Sequence, residues 1–372
     1  MLFTIDKESL LNKLKIVEKI TVQRGIQPVL ANILFETEGN TLKLTSTDLD
    51  ISIITNTTAA IKKEGKITLP AKKIFEIVSK LPDKPIEFSL NSDTNVMTIT
   101  CGFSKFEIIG ISADEFPCII NESEVSTKDS IEVEMNPFIK SIKHTVYSTA
   151  SYENRNIISG VFCHILKEKL EMAATDGNRL TRIIEEIKNK DSKTAKIVIP
   201  AKTLQEFLRI NSLVSEEKVS LIIDNSKIII KTKSFLLISR LLEGEYPPYN
   251  QLIPQSTGKE AIVNREDLIN SLERVSCMVN ERTSIVKFIF NDSKLLLTAE
   301  TPDSGTCEDL IDAKFEDEEL TIAFNYKYIL DSIKIMESKN VKIGLGGSLS
   351  ATIFRPDNKE DYLCLIMPIQ IR

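Results

Sequence analysis

The sequence predicts an α+β chain of three like-folded units, each an antiparallel sheet with two helices on one face. Three observations carry that reading. The length of 372 residues exceeds one ordinary core and fits two or three domains. Four landmarks recur three times in the same order. Within each copy, two helical stripes are set among short runs of alternating β-branched residues. The composition, 42% hydrophobic and 27% charged with 13 Gly and 13 Pro, is that of a globular chain and excludes disordered, collagenous and coiled-coil classes.

The first landmark is a short strand leading into an amphipathic helix, at residues 3–17, 133–146 and 262–275. The apolar pairs Leu10-Leu11, Phe138-Ile139 and Leu268-Ile269 are each followed by Leu14, Ile142 and Leu272, the one-sided stripe of a helix lying on a sheet. The second is an alternating strand ending in a polar turn, TLKLTSTD from 41, KLEMAATD from 169 and KLLLTAET from 294. The third is a strand and then a helix, from 67, 197 and 321, with Pro70 and Pro200 where a helix tolerates proline and Phe324 in the third copy. The fourth is an aromatic residue or Met before Pro: Phe116-Pro117, Tyr246-Pro247 and Met367-Pro368. The copies lie roughly 125 to 130 residues apart. They place units at 1–122, 129–253 and 260–372, with linkers at 121–130 and 254–260.

Open antiparallel sheets leave edges that must be paired or protected. Three units in a row invite end-to-end pairing into a continuous sheet, and two chains related by a two-fold axis can close it into a ring.

The chemistry available is sparse. Lys plus Arg number 47 against 53 Asp plus Glu, a formal charge of −6, so contact with nucleic acid requires a local basic patch. The six cysteines stand singly and the only histidines are His144 and His164, which leaves a metal site or a histidine base poorly supplied. Buried reduced thiols in a cytoplasmic protein are the expectation. Charges at Asp6, Lys7 and Glu8 argue against a signal peptide, and no run long enough to span a membrane follows. Thr47-Asp48 and Thr175-Asp176 recur and admit an acid-base or metal role, yet a Thr-Asp turn is ordinary turn chemistry. The run Gly344-Leu345-Gly346-Gly347-Ser348 lacks the Lys-Ser/Thr of a phosphate loop and reads as a hairpin turn. No catalytic residue, cofactor or metal is nominated. The repeated helices do carry basic residues, among them Lys13, Lys15, Lys72, Lys140, Lys143, Lys202, Arg209, Arg265 and Lys327, which sum into a phosphate-attracting field if the helices share one surface.

ATDGNRL at 174–180, EGEYPPY at 243–249 and the terminal LIMPIQIR, together with three repeats, resemble the bacterial sliding clamp family, the beta subunit of DNA polymerase III. The resemblance runs over the full chain. It implies a head-to-tail homodimeric ring of six like domains, helices inside and sheets outside, which encircles duplex DNA without sequence readout and without catalysis. It also implies a pocket between the second and third domains for short Gln/Leu/Phe peptides of DNA polymerase III, the clamp loader, other polymerases and repair proteins.

The positions matching that pocket are Ile158, Thr175, Gly177, Asn178, Arg179, Leu180, Pro247, Leu252, Tyr328, Leu365, Met367, Pro368 and Ile369. Leu180, Leu252, Leu365 and Met367 are expected as an apolar floor, with Arg179 and Asn178 as polar anchors at the rim. Arg24 and Arg155 match DNA-contacting regions. Lys73 and Phe106 are expected to face Cys277 and Met278 across the subunit interface. Asn178, Gln251 and Gln370 depart from the family pattern, so the peptide preference is expected to differ.

Overall fold

The computed structural model describes all residues except 22–26, 120–129, 152–155, 189–192, 225, 281, 302–304 and 371–372. The chain packs as two units, one formed by Met1–Met135 with Gln205–Leu241, the other by Asn136–Leu204 with Leu242–Arg372. The division passes through the middle repeat, which gives half of its strands to each.

Six α-helices are present among the described residues: α1 (Lys7–Val17), α2 (Ala71–Lys80), α3 (Met135–Thr145), α4 (Ala201–Asn211), α5 (Arg265–Ser276) and α6 (Tyr326–Lys334). Their starts are written in the sequence. Asp6 accepts the Ser9 N–H before α1, Asn264 accepts those of Glu266 and Asp267 before α5, and Asn325 accepts that of Lys327 before α6, which satisfies otherwise orphaned donors. Pro70 precedes the first turn of α2, a site that needs no proline N–H. Each helix buries one stripe. Leu10 and Leu14 of α1, and Leu268 and Leu272 of α5, are fully buried, at about 2 kcal/mol each.

Helix ends use basic side chains. Lys7 of α1 donates its ammonium to the Leu81 carbonyl beyond α2, and Arg265 of α5 donates to the carbonyls of Ile333 and Lys334 that end α6. Arg209 of α4 donates to Lys15 O and Ile16 O of α1, at 2.9 and 2.8 Å. These cations sit on the negative ends of helix dipoles. The fork of Arg209 and Nη1 of Arg265 are therefore engaged inside the protein, which lessens what these two residues add to any phosphate-attracting field.

In the first unit a five-stranded and an eight-stranded sheet form, and in the second a twelve-stranded sheet. Among the described residues the strands pair antiparallel, as in strand Thr41–Thr47 with Ile51–Thr58 and Lys169–Thr175 with Arg179–Glu186. The large sheets exist because repeats join edge to edge. Strand Ile51–Thr58 of the first repeat pairs with Leu236–Arg240 of the second, with Leu237 opposite Ile53. Strand Arg179–Glu186 of the second pairs with Tyr362–Ile366 of the third, with Cys364 opposite Thr181. Leu237, Ile53, Cys364 and Thr181 are all 0% exposed, so each join is part of the core. The Gly344 run ends a strand and turns back into Thr352–Pro356, a hairpin turn as its residues predict. Strand Lys259–Asn264 begins inside the expected second linker.

Candidate functional site

The turn from Thr175 to Arg179 is built by its own side chains. Thr175 Oγ1 donates to Arg179 O and accepts the Gly177 N–H, while Asp176 Oδ1 accepts the N–H groups of Asn178 and Arg179. The same bonds recur at Thr47, Asp48, Leu49, Asp50 and Ile51. Asp48 and Asp176 are turn-forming carboxylates in both copies, and among the described residues no group of three His, Cys, Asp or Glu is arranged to hold a metal. Gly177 has φ +91°, a backbone region costly for a side chain. Gly177→Ala is expected to lower stability by about 1 kcal/mol, readable as a lower denaturant midpoint at unchanged slope. An unchanged midpoint would show the turn relaxing freely.

Arg179 is where the structure departs most from its expected role. Its side chain is only 9% exposed, with Nε 3.0 Å from Asp176 Oδ2 and Nη1 2.7 Å from Asp331 Oδ2 of α6. Nη2 donates to Tyr147 O at 2.5 Å. The guanidinium lies over the rings of Tyr328 and Tyr147, 4.5 and 5.2 Å from their centroids. Burial works against its charge, but Asp331 and Asp176 outweigh it and hold the pKa above the ordinary value. Arg179 is thus a clasp between the turn, Tyr147 and α6 rather than a free anchor at a rim.

Around the clasp the predicted residues gather unevenly. Leu180 faces Leu365 across the strand pair, and both belong to one buried cluster with Ala173, Tyr246, Tyr249 and Ile353. Met367 N–H bonds Asn178 O at 2.9 Å, and Asn178 also reaches the Tyr328 hydroxyl, whose pKa burial raises. Met367 and Leu252 are 46% and 57% exposed. The apolar floor is therefore two tiers: Leu180 and Leu365 belong to the packed core, while Leu252 and Met367 present apolar surface to solvent. Gly177 is exposed, and Ile158, Pro247, Pro368 and Ile369 are half-buried. Ile369 N–H bonds Ala323 O.

Sequence reasoning missed Tyr147, Tyr246, Tyr249, Asp331 and Tyr362. Tyr147 and Tyr362 share a 2.6 Å hydroxyl pair, and burial raises both phenols well above the usual range. The EGEYPPY run contained the signal for Tyr246 and Tyr249, whose rings pack on Phe162 at 5.5 Å. Nothing local marks the others. Ile157 packs against the buried cluster. Arg24 and Arg155 lie outside the described residues.

Of the expected interface residues, Lys73 is exposed on α2 and 3.6 Å from Glu76. Phe106 is 39% exposed on strand Ser104–Ile109, which ends its sheet. Cys277 closes α5, and the Met278 carbonyl accepts the Thr301 hydroxyl.

Family models match the chain in three segments: the DNA polymerase III beta subunit N-terminal domain at 1–120, its central domain at 132–248 and its C-terminal domain at 250–370. A beta sliding clamp of Synechococcus elongatus is 30% identical over 365 residues, covering 96% of each chain. The chain belongs to the beta sliding clamp family. The Synechocystis beta sliding clamp is 31% identical over 380 residues, again with 96% of each chain covered. The crystal structure of the DNA polymerase sliding clamp from Bacillus subtilis superposes with a TM-score of 0.93 at 29% identity, covering 100% of both chains. The three clamp domains of mostly antiparallel sheet expected from the repeats are those of this family. Among the described residues no helix is long and apolar enough to cross a membrane.

Proposed function

We propose that the chain is a non-catalytic, cytoplasmic DNA sliding clamp: a homodimeric ring that encircles duplex DNA and tethers DNA polymerase III, with domains at 1–122, 129–253 and 260–372. One observation carries the ring. The joins within the chain pair the fourth strand of one repeat with the last strand of the next, and one strand of each kind is left over. Register identifies the equivalent residues. Ile53, Thr181 and Cys307 lie opposite Ser46, Ala174 and Ala299 in their hairpins. Leu237, Cys364 and Phe106 lie opposite the fully buried Ile230, Phe354 and Ile99. The left-over pair is Cys307 and Phe106, and Phe106 is exposed where its equivalents are buried. A third join of the same kind, made to a second copy, sets Phe106 against Cys307 and Lys105 against Glu308 of that copy. Lys73, Cys277 and Met278 belong beside it.

Closure makes retention topological, so weak phosphate contacts suffice and many tight ones would act as a brake. Arg24 and Arg155 are assigned to those contacts. The protein should stay on nicked circular DNA and be lost when the circle is cut. Equal retention on both would exclude encirclement.

The peptide site is assigned to Ile158, Thr175, Gly177, Asn178, Leu180, Pro247, Leu252, Tyr328, Leu365, Met367, Pro368 and Ile369, with Arg179 holding Tyr328 in place. Its occupants are short peptides from the polymerase, the clamp loader and repair proteins. The exposure of Met367 and Leu252 beside a packed floor supports this reading, because isolated apolar surface over a core is what a peptide side chain covers. Met367→Ala should weaken binding of a Gln/Leu/Phe peptide about tenfold while light scattering still gives a dimer. Unchanged affinity would move the site elsewhere.

A further inference from the structure

A cavity of about 220 Å³ lies at the far end of the strand pair that carries Leu180 and Leu365. Lys140 and His144 of α3 form one wall, and Ile183 and Glu185 of strand Arg179–Glu186 another. Met336, Glu337 and the turn holding Lys359 and Asp361 complete it, over the Tyr362 ring. It has room for about seven water-sized groups, below the usual range of a drug-sized pocket.

His144 is 5% exposed and stands edge-on to Tyr362, with ring centroids 4.8 Å apart. Its Nδ1 is 2.8 Å from Lys140 O. A carbonyl only accepts, so Nδ1 carries the proton and Nε2 is left as an acceptor. His144 lines the cavity, so Nε2 is the ring atom able to accept from a group inside it. The charged groups facing the cavity are Lys140, Lys359, Glu185, Glu337 and Asp361. Lys140 and Glu185 satisfy each other at 2.5 Å, which leaves two carboxylates against the single ammonium of Lys359. Of the remaining lining, Met336, Ile183, Pro356 and Tyr362 are apolar, and Ser338 and Asn358 are neutral polar residues.

We propose that this cavity binds a small alkylguanidinium or alkylammonium ion, which donates an N–H to His144 Nε2, sets its charge against Glu337 and Asp361 and lays its alkyl part on Met336, Ile183 and Tyr362. Such an ion uses an acceptor, a negative balance and an apolar floor together. The cation is either a free molecule or the Lys or Arg side chain of a docked protein. The assignment is independent of the peptide site and of ring closure.

The chain has only two histidines, so histidine-selective carbon labelling of the full-length protein reports on the cavity through one resonance and carries its own control in His164. Butylguanidinium should shift the His144 signal saturably and leave His164 unmoved, while n-butanol does neither. Glu337→Gln, at an exposed position, should weaken binding about tenfold, the effect of one charge-assisted hydrogen bond. Lys359→Gln should strengthen it. Tighter binding of acetyl-Gly-Arg-Gly-amide than of butylguanidinium would identify a docked side chain, and weaker binding a free molecule. Absence of a saturable His144 shift, an equal response to n-butanol, or unchanged affinity in Glu337→Gln overturns the proposal.

Discussion

Arg179→Ala is expected to destabilise the protein by about 3 kcal/mol and to abolish measurable binding of a clamp-type peptide. The guanidinium satisfies Asp176, Asp331 and the Tyr147 carbonyl together. Removing it leaves Asp176, whose side chain is 14% exposed, without its charge partner and the carbonyl without its donor. Each such loss costs about 1–3 kcal/mol. Asp331 is 47% exposed and is re-solvated, so its share is small. Affinity falls for a separate reason: Tyr328 loses the cation over its ring and, with it, the contact that sets α6 against the turn. Arg179→Lys separates the two effects. A lysine keeps the charge but cannot serve three acceptors in one plane, so it should recover less than half of either loss. If Arg179→Lys restores full affinity, the clasp is only a counter-ion; if Arg179→Ala leaves stability unchanged, the three bonds are not made in solution.

The clasp also marks the limit of what the sequence discloses. The turn that precedes it is legible, because Thr, Asp and Gly at adjacent positions prescribe their own bonds, and the first repeat repeats those bonds with Leu49 at φ +78° in place of glycine. The helices and their caps are legible for the same reason: donor and acceptor lie within three residues. Arg179 finds Tyr147, in a 3-10 turn, and Asp331, on α6, only through the tertiary fold, because they stand 32 and 152 positions away in sequence. No local pattern encodes that meeting. Residue type therefore suggested a polar anchor at Arg179 but not its bonds to Tyr147 and Asp331.

Basic residues on the helices fail in the same way. Lys7, Arg209 and Arg265 look like solvated cations when only their own helix is considered, yet each is turned to the carboxyl end of another helix. Lys334 pairs with Glu273 at 2.7 Å and Arg274 with Asp309 at 2.6 Å. The field available to phosphates is correspondingly smaller than the count of helical lysines and arginines implies, which agrees with a contact that holds DNA loosely.

Phe106→Asp is expected to convert the dimer into a monomer without unfolding the chain. In the two joins inside the chain, the equivalents Leu237 and Cys364 are 0% exposed, and a third join would bury Phe106 to the same degree. Exchanging a phenyl ring for a carboxylate there forfeits about 2–3 kcal/mol of burial and adds an unpaired charge. A two-fold ring contains the join twice, so the loss is about 6 kcal/mol, roughly four orders of magnitude in dimer affinity. The monomer should survive, since the side chain is already 39% exposed in the single chain. Register is tested by charge. Lys105→Glu places like charges opposite each other at Glu308 and weakens the dimer modestly, by about 1 kcal/mol per join; adding Glu308→Lys restores the opposite-charge pair and should recover the affinity. A shift of one residue in register would set Lys105 against Cys307 or Asp309 instead, and the double variant would then fail to rescue. Sedimentation of the four proteins at matched concentration distinguishes the cases, and a Phe106→Asp protein that remains dimeric would place the subunit contact on another edge.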